Sequence, residues 1–385
     1  MEEGTRDGRA GRRGGCDVIK VLVVDDSVVI RRLVSGLLAA DPEIEVVGTA
    51  VNGRAGVEKV EALRPDLVTM DIEMPEVDGI EAVRRIRATG NKVPVIMFST
   101  LTERGAVATL DALAAGASDY VAKPANVGSV GRSMEQVRDA LIPRIKSLVP
   151  HHRSARPDAA GPRPAPASEV RPVALRPARP APAGGHRVVL VGSSTGGPEA
   201  LGTLLAALPL LPVPVVVVQH MPPLFTRQLA ARLDRNVAAR VVEAEHGQPL
   251  LPGTVTIAPG DHHLHVTGRP GRLAVRLSQE PPENYCRPAV DVLLRSAVEV
   301  VGGAALGVVL TGMGQDGCRG ARALVDAGGS VLAQDQATSV VWGMPGAVAG
   351  AGLAELVLPL TDIAPEVVRR LAPQRTAVPA AGATR

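Results

Sequence analysis

Short apolar runs alternate along this chain with longer segments in which apolar residues recur every three or four positions. The alternation occurs twice, with a break between. In the first half the runs are IKVLVV (19–24), EIEVVGTA (43–50), DLVTM (66–70), VPVIMF (93–98) and SDYVA (118–122). Between them lie SVVIRRLVSGLLAA, GRAGVEKVEALR, GIEAVRRIRAT and TLDALAAGA. The compact runs predict buried strands and the three-to-four spacing predicts amphipathic helices. Five strand–helix units in series predict a doubly wound parallel sheet, which binds ligands at the carboxyl ends of its strands.

The pattern stops between Pro150 and Gly185, where Pro, Ala and Arg dominate and no apolar period survives. Such a stretch cannot bury enough surface to order itself, and reads as an extended linker. The alternation resumes with RVVLVG (187–192), a helix at PEALGTLLAAL, and PVVVVQ (214–219). From Ala239 to Ser278 the runs TVTIAPG, HHLHVTG and RLAVRLS are short, alternating and split by Gly and Pro, a hairpin signature. The helix VDVLLRSAVEVV and the strands ALGVVLTG, SVLAQ and AELVLPL follow. The expected organisation is a disordered extension over 1–17, a domain over 18–145, a linker over 146–186, a second, mostly parallel α/β domain with an antiparallel hairpin insertion over 187–372, and a disordered tail over 373–385.

A length of 385 residues accommodates two such cores. Aromatic residues make up 1% of the chain, so the cores must be built from Val, Leu, Ile and Ala. The net charge of +3 changes meaning once located. The 150–185 segment holds Arg153, Arg156, Arg163, Arg171, Arg176 and Arg179 against Asp158 and Glu169, an excess of four that outweighs the whole-chain value. The domains are therefore near neutral. With two Phe, two Tyr and one Trp to stack on bases, nucleic acid is not an expected partner. The odd, dispersed Cys16, Cys286 and Cys318 suggest neither a disulfide framework nor a metal knuckle. No apolar run reaches the ~20 residues of a membrane helix, and Met1 to Gly15 carries no apolar signal segment, so a cytoplasmic chain without membrane insertion is expected.

Asp25 and Asp26 follow the first predicted strand, Asp71 the third, Ser99 ends the fourth, and Lys123 follows the fifth. Three carboxylates converging at one sheet end repel each other unless a cation neutralises them, and an all-oxygen set suits Mg²⁺. A carboxylate so placed is a nucleophile toward a phosphoryl group, with an ammonium and a hydroxyl to receive the added charge. The plainer reading of Asp25 and Asp26 is helix capping. The motifs VLVVDDS, MDIEMPEVDG and SDYVAKP, covering about residues 18–145, resemble the receiver domain of bacterial two-component response regulators. That resemblance implies a flavodoxin-like five-stranded sheet. It also implies Asp71 as the residue phosphorylated by a histidine kinase, and Mg²⁺ held by Asp25, Asp26, Asp71 and the backbone of Glu73. Ser99 and Lys123 become switch residues, Tyr120 the aromatic that follows the switch, and Lys123-Pro124 a bond often cis.

In the second domain GSSTGG (192–197) joins strand to helix and matches G-x-S-x-G at Gly192, Ser194 and Gly196. The pattern puts a Ser hydroxyl on a tight turn beside a helix N-terminus. A phosphate-gripping loop or a simple cap would look alike. His220 ends VVVVQH and Asp316 lies in TGMGQDG, each at a strand end, supplying a base and an orienter for that base. The order Ser, His, Asp differs from the Ser, Asp, His of α/β-hydrolases, so that fold is not expected. His262, His263 and His265 invite a metal reading, but period-two alternation puts His262 on the opposite face from the other two. The segments SSTGGPEAL, QHMPPLFT, IAPGDHHL, LTGMGQDG and WGMPGA, covering about residues 187–370, resemble the methylesterase domain of the chemotaxis response regulator (CheB) family. This implies Ser194 as nucleophile, His220 as base and Asp316 as orienter, with Met313 or Thr195 offering backbone amides to an oxyanion. It implies no cofactor in the esterase site. Ser193 stands where that family more usually has Ala, placing a second hydroxyl beside the nucleophile.

Together these resemblances imply a phosphorylation-activated serine esterase that hydrolyses glutamate methyl esters, and deamidates glutamines, on methyl-accepting chemotaxis receptors. Unphosphorylated, its receiver is expected to pack over the Ser194 cleft. A phosphorylation-controlled binding module with an idle esterase site is the alternative.

Overall fold

The structure is a computed structural model that describes residues 18–123, 130–149, 175–177, 182 and 184–372. Expectations for the 1–17 extension, the 373–385 tail, most of the linker and the Lys123-Pro124 bond lie outside the described residues.

The N-terminal sheet is built from β1 (Ile19–Val24), β2 (Ile44–Ala50), β3 (Leu67–Asp71), β4 (Val95–Ser99) and β5 (Asp119–Ala122) in the order β2-β1-β3-β4-β5, parallel throughout. Helices α1 (Val28–Ala39), α2 (Gly53–Leu63), α3 (Gly79–Ala88), α4 (Glu103–Ala114) and α5 (Val130–Leu148) cover its faces. The first four start on side chains that accept from the first turn: Ser27, Asn52, Asp78 and Thr102. Ser27, not Asp25 or Asp26, therefore caps α1, and both carboxylates remain available. Helix α5 ends at Leu148, three residues past the expected domain edge.

In the C-terminal domain β6 (Val188–Ser193), β7 (Val215–Gln219), β8 (Arg240–Glu243), β9 (Thr254–Ile257), β12 (Ala305–Val309), β13 (Ser330–Gln334) and β14 (Leu356–Leu358) form one sheet. Its order is β14-β13-β12-β6-β7-β9-β8. Among the described residues only β10 (His263–Arg269) and β11 (Arg272–Ser278) pair as an antiparallel hairpin of strands. The TVTI run is thus not a hairpin strand. It pairs in parallel with β7 and β8, because its Val255 and Ile257 are buried in the main core, where short alternation and a buried parallel strand look alike. Helices α6 (Gly197–Ala207), α7 (Pro223–Asp234), α8 (Val290–Val301), α9 (Cys318–Asp326), α10 (Met344–Gly350) and α11 (Leu360–Leu371) complete the domain. One apolar cluster joins the hairpin, α8 and α9 to one face of the sheet. Of the linker, Arg176 is held, its amide donating to Ala354 O (3.1 Å) and its guanidinium to Val325 O (3.3 Å). The segment is pinned at that point, which its composition does not suggest.

The two domains share a second apolar cluster, in which Ala106 and Leu110 of α4 join Leu229 and Leu233 of α7. Tyr120 stacks on Phe225 with centroids 4.9 Å apart and planes 6° from parallel. Thr195 Oγ1 donates to Asp119 Oδ2 at 2.7 Å, and Arg232 pairs with Asp111 at 2.6 Å. The buried bond to a charged acceptor is worth about 1.5–3 kcal/mol and the stack about 0.5–1.5 beyond its area, whereas the half-exposed ion pair adds at most about 1. Beyond the apolar cluster, the contacts through β5 therefore outweigh the ion pair. No helix among the described residues is long and apolar enough to cross a membrane.

Candidate active site and phosphoacceptor pocket

Both sheets reverse their winding at the first strand, and both place reactive groups at that switch point. In the N-terminal sheet Asp25 and Asp26 leave β1 while Asp71 ends β3. Their carboxylate oxygens lie within 4.8 Å of one another. Lys123 Nζ reaches Asp71 Oδ2 (2.8 Å) and Asp25 Oδ2 (3.2 Å). Burial pushes the Asp71 carboxyl above its usual range despite the pull of Lys123, and nearby Asp25 pushes the same way. For Lys123, burial opposes the charge but both carboxylates overcome it and raise its pKa. A cavity of ≈ 260 Å³ beside this cluster is lined by Asp26, Asp71, Glu73, Ser99 and Lys123 among others. Three oxygen donors, one of them the exposed Asp26, fit a small hard cation. Ser99 is buried and its hydroxyl is engaged elsewhere, accepting from Thr109 (2.7 Å) and donating to Gly105 O (3.1 Å). Tyr120 is half-buried with its ring stacked on Phe225, and desolvation there raises its phenol pKa.

In the C-terminal sheet β6 lies between β7 and β12. Ser193 of β6 pairs with Gln219 of β7, so Ser194 and His220 each stand one residue beyond that rung. Further bonds fix the pair of strand ends: His220 N–H donates to Ser193 O (3.1 Å) and Gln219 Nε2 to Ser194 O (3.0 Å). Ser193 Oγ is occupied with Gln219 Oε1 at 2.6 Å, which removes the second hydroxyl from contention. The left-handed residue of the turn is Gly196 (φ 74°), the residue before α6, while Ser194 keeps an ordinary backbone. On the other side Gly312 packs so closely on Ser194 that a Cβ there would collide with it.

His220 Nε2 lies 2.8 Å from Asp316 Oδ2. Since the carboxylate only accepts, Nε2 carries a proton, and once the imidazole is neutral Nδ1 is the nitrogen with the free lone pair. Asp316 also accepts from the amides of Val290 (2.7 Å), Asp291 (3.1 Å) and Gly317 (3.0 Å) and from Asn284 Nδ2 (2.9 Å). Burial opposes its charge, but His220 and these amides more than offset that and hold the carboxyl below its usual range. Ser194 Oγ has no hydrogen-bond partner among the described residues. The Nδ1 position is approached instead by Cys286 Sγ at 3.5 Å. Burial disfavours the imidazolium of His220, yet its hydrogen bonds to Asp316 and Cys286 and their charges raise its pKa to about 10. The amide hydrogens of Thr195 and Met313 are likewise free of acceptors among the described residues. His263 and His265 are buried on one face of β10, while Leu264 and Val266 on the other face join the apolar cluster. His263 accepts from Ala289 N–H and meets Pro281 O, bracing the loop that carries Asn284 and Cys286.

Sequence reasoning did not find Asn284, Cys286, Asp291 or Asp119. The first three reach the site from a loop and helix start with no strand-end signal. Asp119 matters only through the other domain.

Residues 189–367 match the CheB methylesterase family and residues 21–132 the response regulator receiver domain. A protein-glutamate methylesterase/protein-glutamine glutaminase of a Nocardioides species is 74% identical over 365 residues, 95% of this chain and 99% of its own. This chain belongs to the CheB protein-glutamate methylesterase family. A relative of the same description from Trichodesmium erythraeum is 46% identical over 91% of this chain and 99% of its own. The solved catalytic domain of Thermotoga maritima CheB is 44% identical, covering 48% of this chain and 98% of that one, with a TM-score of 0.47.

Proposed function

We propose that this CheB family member hydrolyses γ-glutamyl methyl esters, and deamidates glutamines, on methyl-accepting chemotaxis receptors, with Ser194, His220 and Asp316 as its triad. The observation that carries the assignment is the 2.8 Å His220–Asp316 bond at the mouth of the strand ends that hold Ser194. Ser194 Oγ attacks the ester carbonyl as its proton passes to His220 Nδ1, and Asp316 stabilises the imidazolium across Nε2. The amides of Thr195 and Met313, beside the N-terminus of α6, take the developing oxyanion. His220 returns the proton to the departing methanol, or to ammonia from a glutamine. Water, deprotonated by the same imidazole, then releases the acid from Ser194. The Ser194–His220 bond is unmade in this state, and substrate entry must displace the Cys286 thiol from Nδ1; such bonds commonly tighten only with substrate present.

The receiver domain holds the resting state by contact with the residue next to the nucleophile. Asp119 grips Thr195, and Tyr120 anchors Phe225 in α7, which follows His220 closely in the chain. Asp71 takes a phosphoryl group from a histidine kinase. Asp25, Asp26, Asp71 and the backbone of Glu73 would hold Mg²⁺, which supplies charge neutralisation for that transfer. Lys123 stays with the new charge, while Ser99 must leave Thr109 and Gly105 to reach it, freeing the space that Tyr120 turns into. Loss of the β5 contacts then uncovers Thr195. A coupling of about 1–3 kcal/mol suffices for a 5- to 150-fold response. Labelling with a fluorophosphonate tests the triad: mass spectrometry should map the adduct to Ser194 and lose it in His220→Ala. An adduct elsewhere would displace the assignment.

A further inference from the structure

Residues 283–286 form a two-residue turn, Glu283 and Cys286 exchanging backbone hydrogen bonds of 3.1 and 2.8 Å. Both central residues are left-handed, Asn284 at φ 52° and Tyr285 at φ 63°. This hand of turn favours Asn first and Gly second. Asn284 obeys, but a bulky residue in the second place strains the backbone. The turn is nevertheless rigidly mounted. Glu283 is paired twice with Arg295, Asn284 Nδ2 donates to Asp316 and Asp291 at 2.9 Å each, and Arg287 is bound to Asp261 and to Glu280 O. Cys286 touches His220 on the nitrogen that serves the nucleophile. Between these two triad contacts the Tyr285 side chain stands fully exposed (101%), with no partner among the described residues.

We propose that Tyr285 is a substrate-docking residue, its ring packing against the polypeptide that carries the ester so that esters on a protein are selected over small free esters. The proposal rests on the esterase reading above. The residue is carried by a braced turn whose next residue, Cys286, touches His220. The receiver contacts the esterase domain at Thr195 and leaves Tyr285 exposed. A tyrosine offers a large amphipathic face at little entropic cost, suited to a peptide surface and wasted on solvent. Glycine at this position would relieve the backbone, so the side chain is kept at the expense of the turn.

The test compares kcat/KM on a methylated receptor fragment with kcat/KM on a blocked glutamate γ-methyl ester. In Tyr285→Gly the protein-to-small-ester ratio should fall about tenfold, carried by KM on the receptor, whereas Tyr285→Phe should restore most of the ratio. An unchanged ratio in Tyr285→Gly overturns the proposal. Parallel loss on both substrates assigns Tyr285 to turn structure alone and also overturns it. Ser194→Ala retaining both activities would instead remove the esterase reading, so the two failures are distinguishable.

Discussion

The receiver and the esterase domain place reactive groups at the switch points of two doubly wound sheets, yet they complete their sites differently. In the receiver, Asp25, Asp26, Asp71 and Lys123 come directly from strand ends, and Lys123 already bonds Asp71 and Asp25. In the esterase domain the strand ends supply only Ser194 and His220. Asp316 is held by Val290, Asp291, Gly317 and Asn284, drawn from one helix start and two loops. The acidic site gathers three carboxylates around one ammonium. The triad is poised by a dense set of donors around one buried carboxylate. The acidic cluster stays open to solvent at Asp26, as the proposed entry of a cation and a phosphodonor requires. A general-base site must fix one tautomer, so its carboxylate is enclosed.

That contrast can be broken in order of expected effect. Ser194→Ala should cut ester hydrolysis by about 10⁴-fold or more, and Asp316→Asn by about 10³–10⁴-fold through the wrong tautomer, measured as methanol release. Asn284→Ala should lower kcat by roughly 10- to 100-fold, since it deprives two buried carboxylates of a shared donor at about 1–3 kcal/mol. Restoration by Asn284→Asp is not expected, because a third carboxylate would add repulsion. Asp119→Ala should raise unstimulated activity by about 5- to 30-fold by freeing Thr195, and Arg232→Ala by less than about fivefold, as a half-exposed pair implies. Equal effects from these two would show that the interface is not governed by β5.

The pH profile sharpens the same contrast. His220 acts as a base only when neutral, and its raised pKa keeps it protonated around neutrality. Hydrolysis should therefore rise with pH toward about 10. Cys286→Ala removes one raising influence, leaving Asp316 as the direct partner, and should move the rising limb to lower pH. A limb unmoved by that change would mean Cys286 does not act on His220.

The sequence made the receiver almost wholly legible, because its strands are continuous apolar runs and each chemical residue abuts one of them. The same logic located Ser194 and His220, but Asp316, expected at a strand end, lies seven residues past the end of β12 in the loop that leads into α9. It misjudged TVTI, whose burial in a parallel sheet leaves the same alternation as a hairpin. It passed over NYC at 284–286, since a turn of left-handed residues has no period, and its inward residues earn meaning only when folded against Asp316 and His220. It expected a cover over Ser194 but did not see that Asp119 would provide the grip, because that bond joins residues 76 positions apart in different domains.

The most direct test of phosphorylation-gated hydrolysis is methanol release from methylated receptors by the intact chain, with and without a small-molecule phosphodonor. Stimulation should be several-fold or greater, absent in Asp71→Asn, with no release at all in Ser194→Ala. Release that ignores the phosphodonor, or that persists without the Ser194 hydroxyl, would contradict the account.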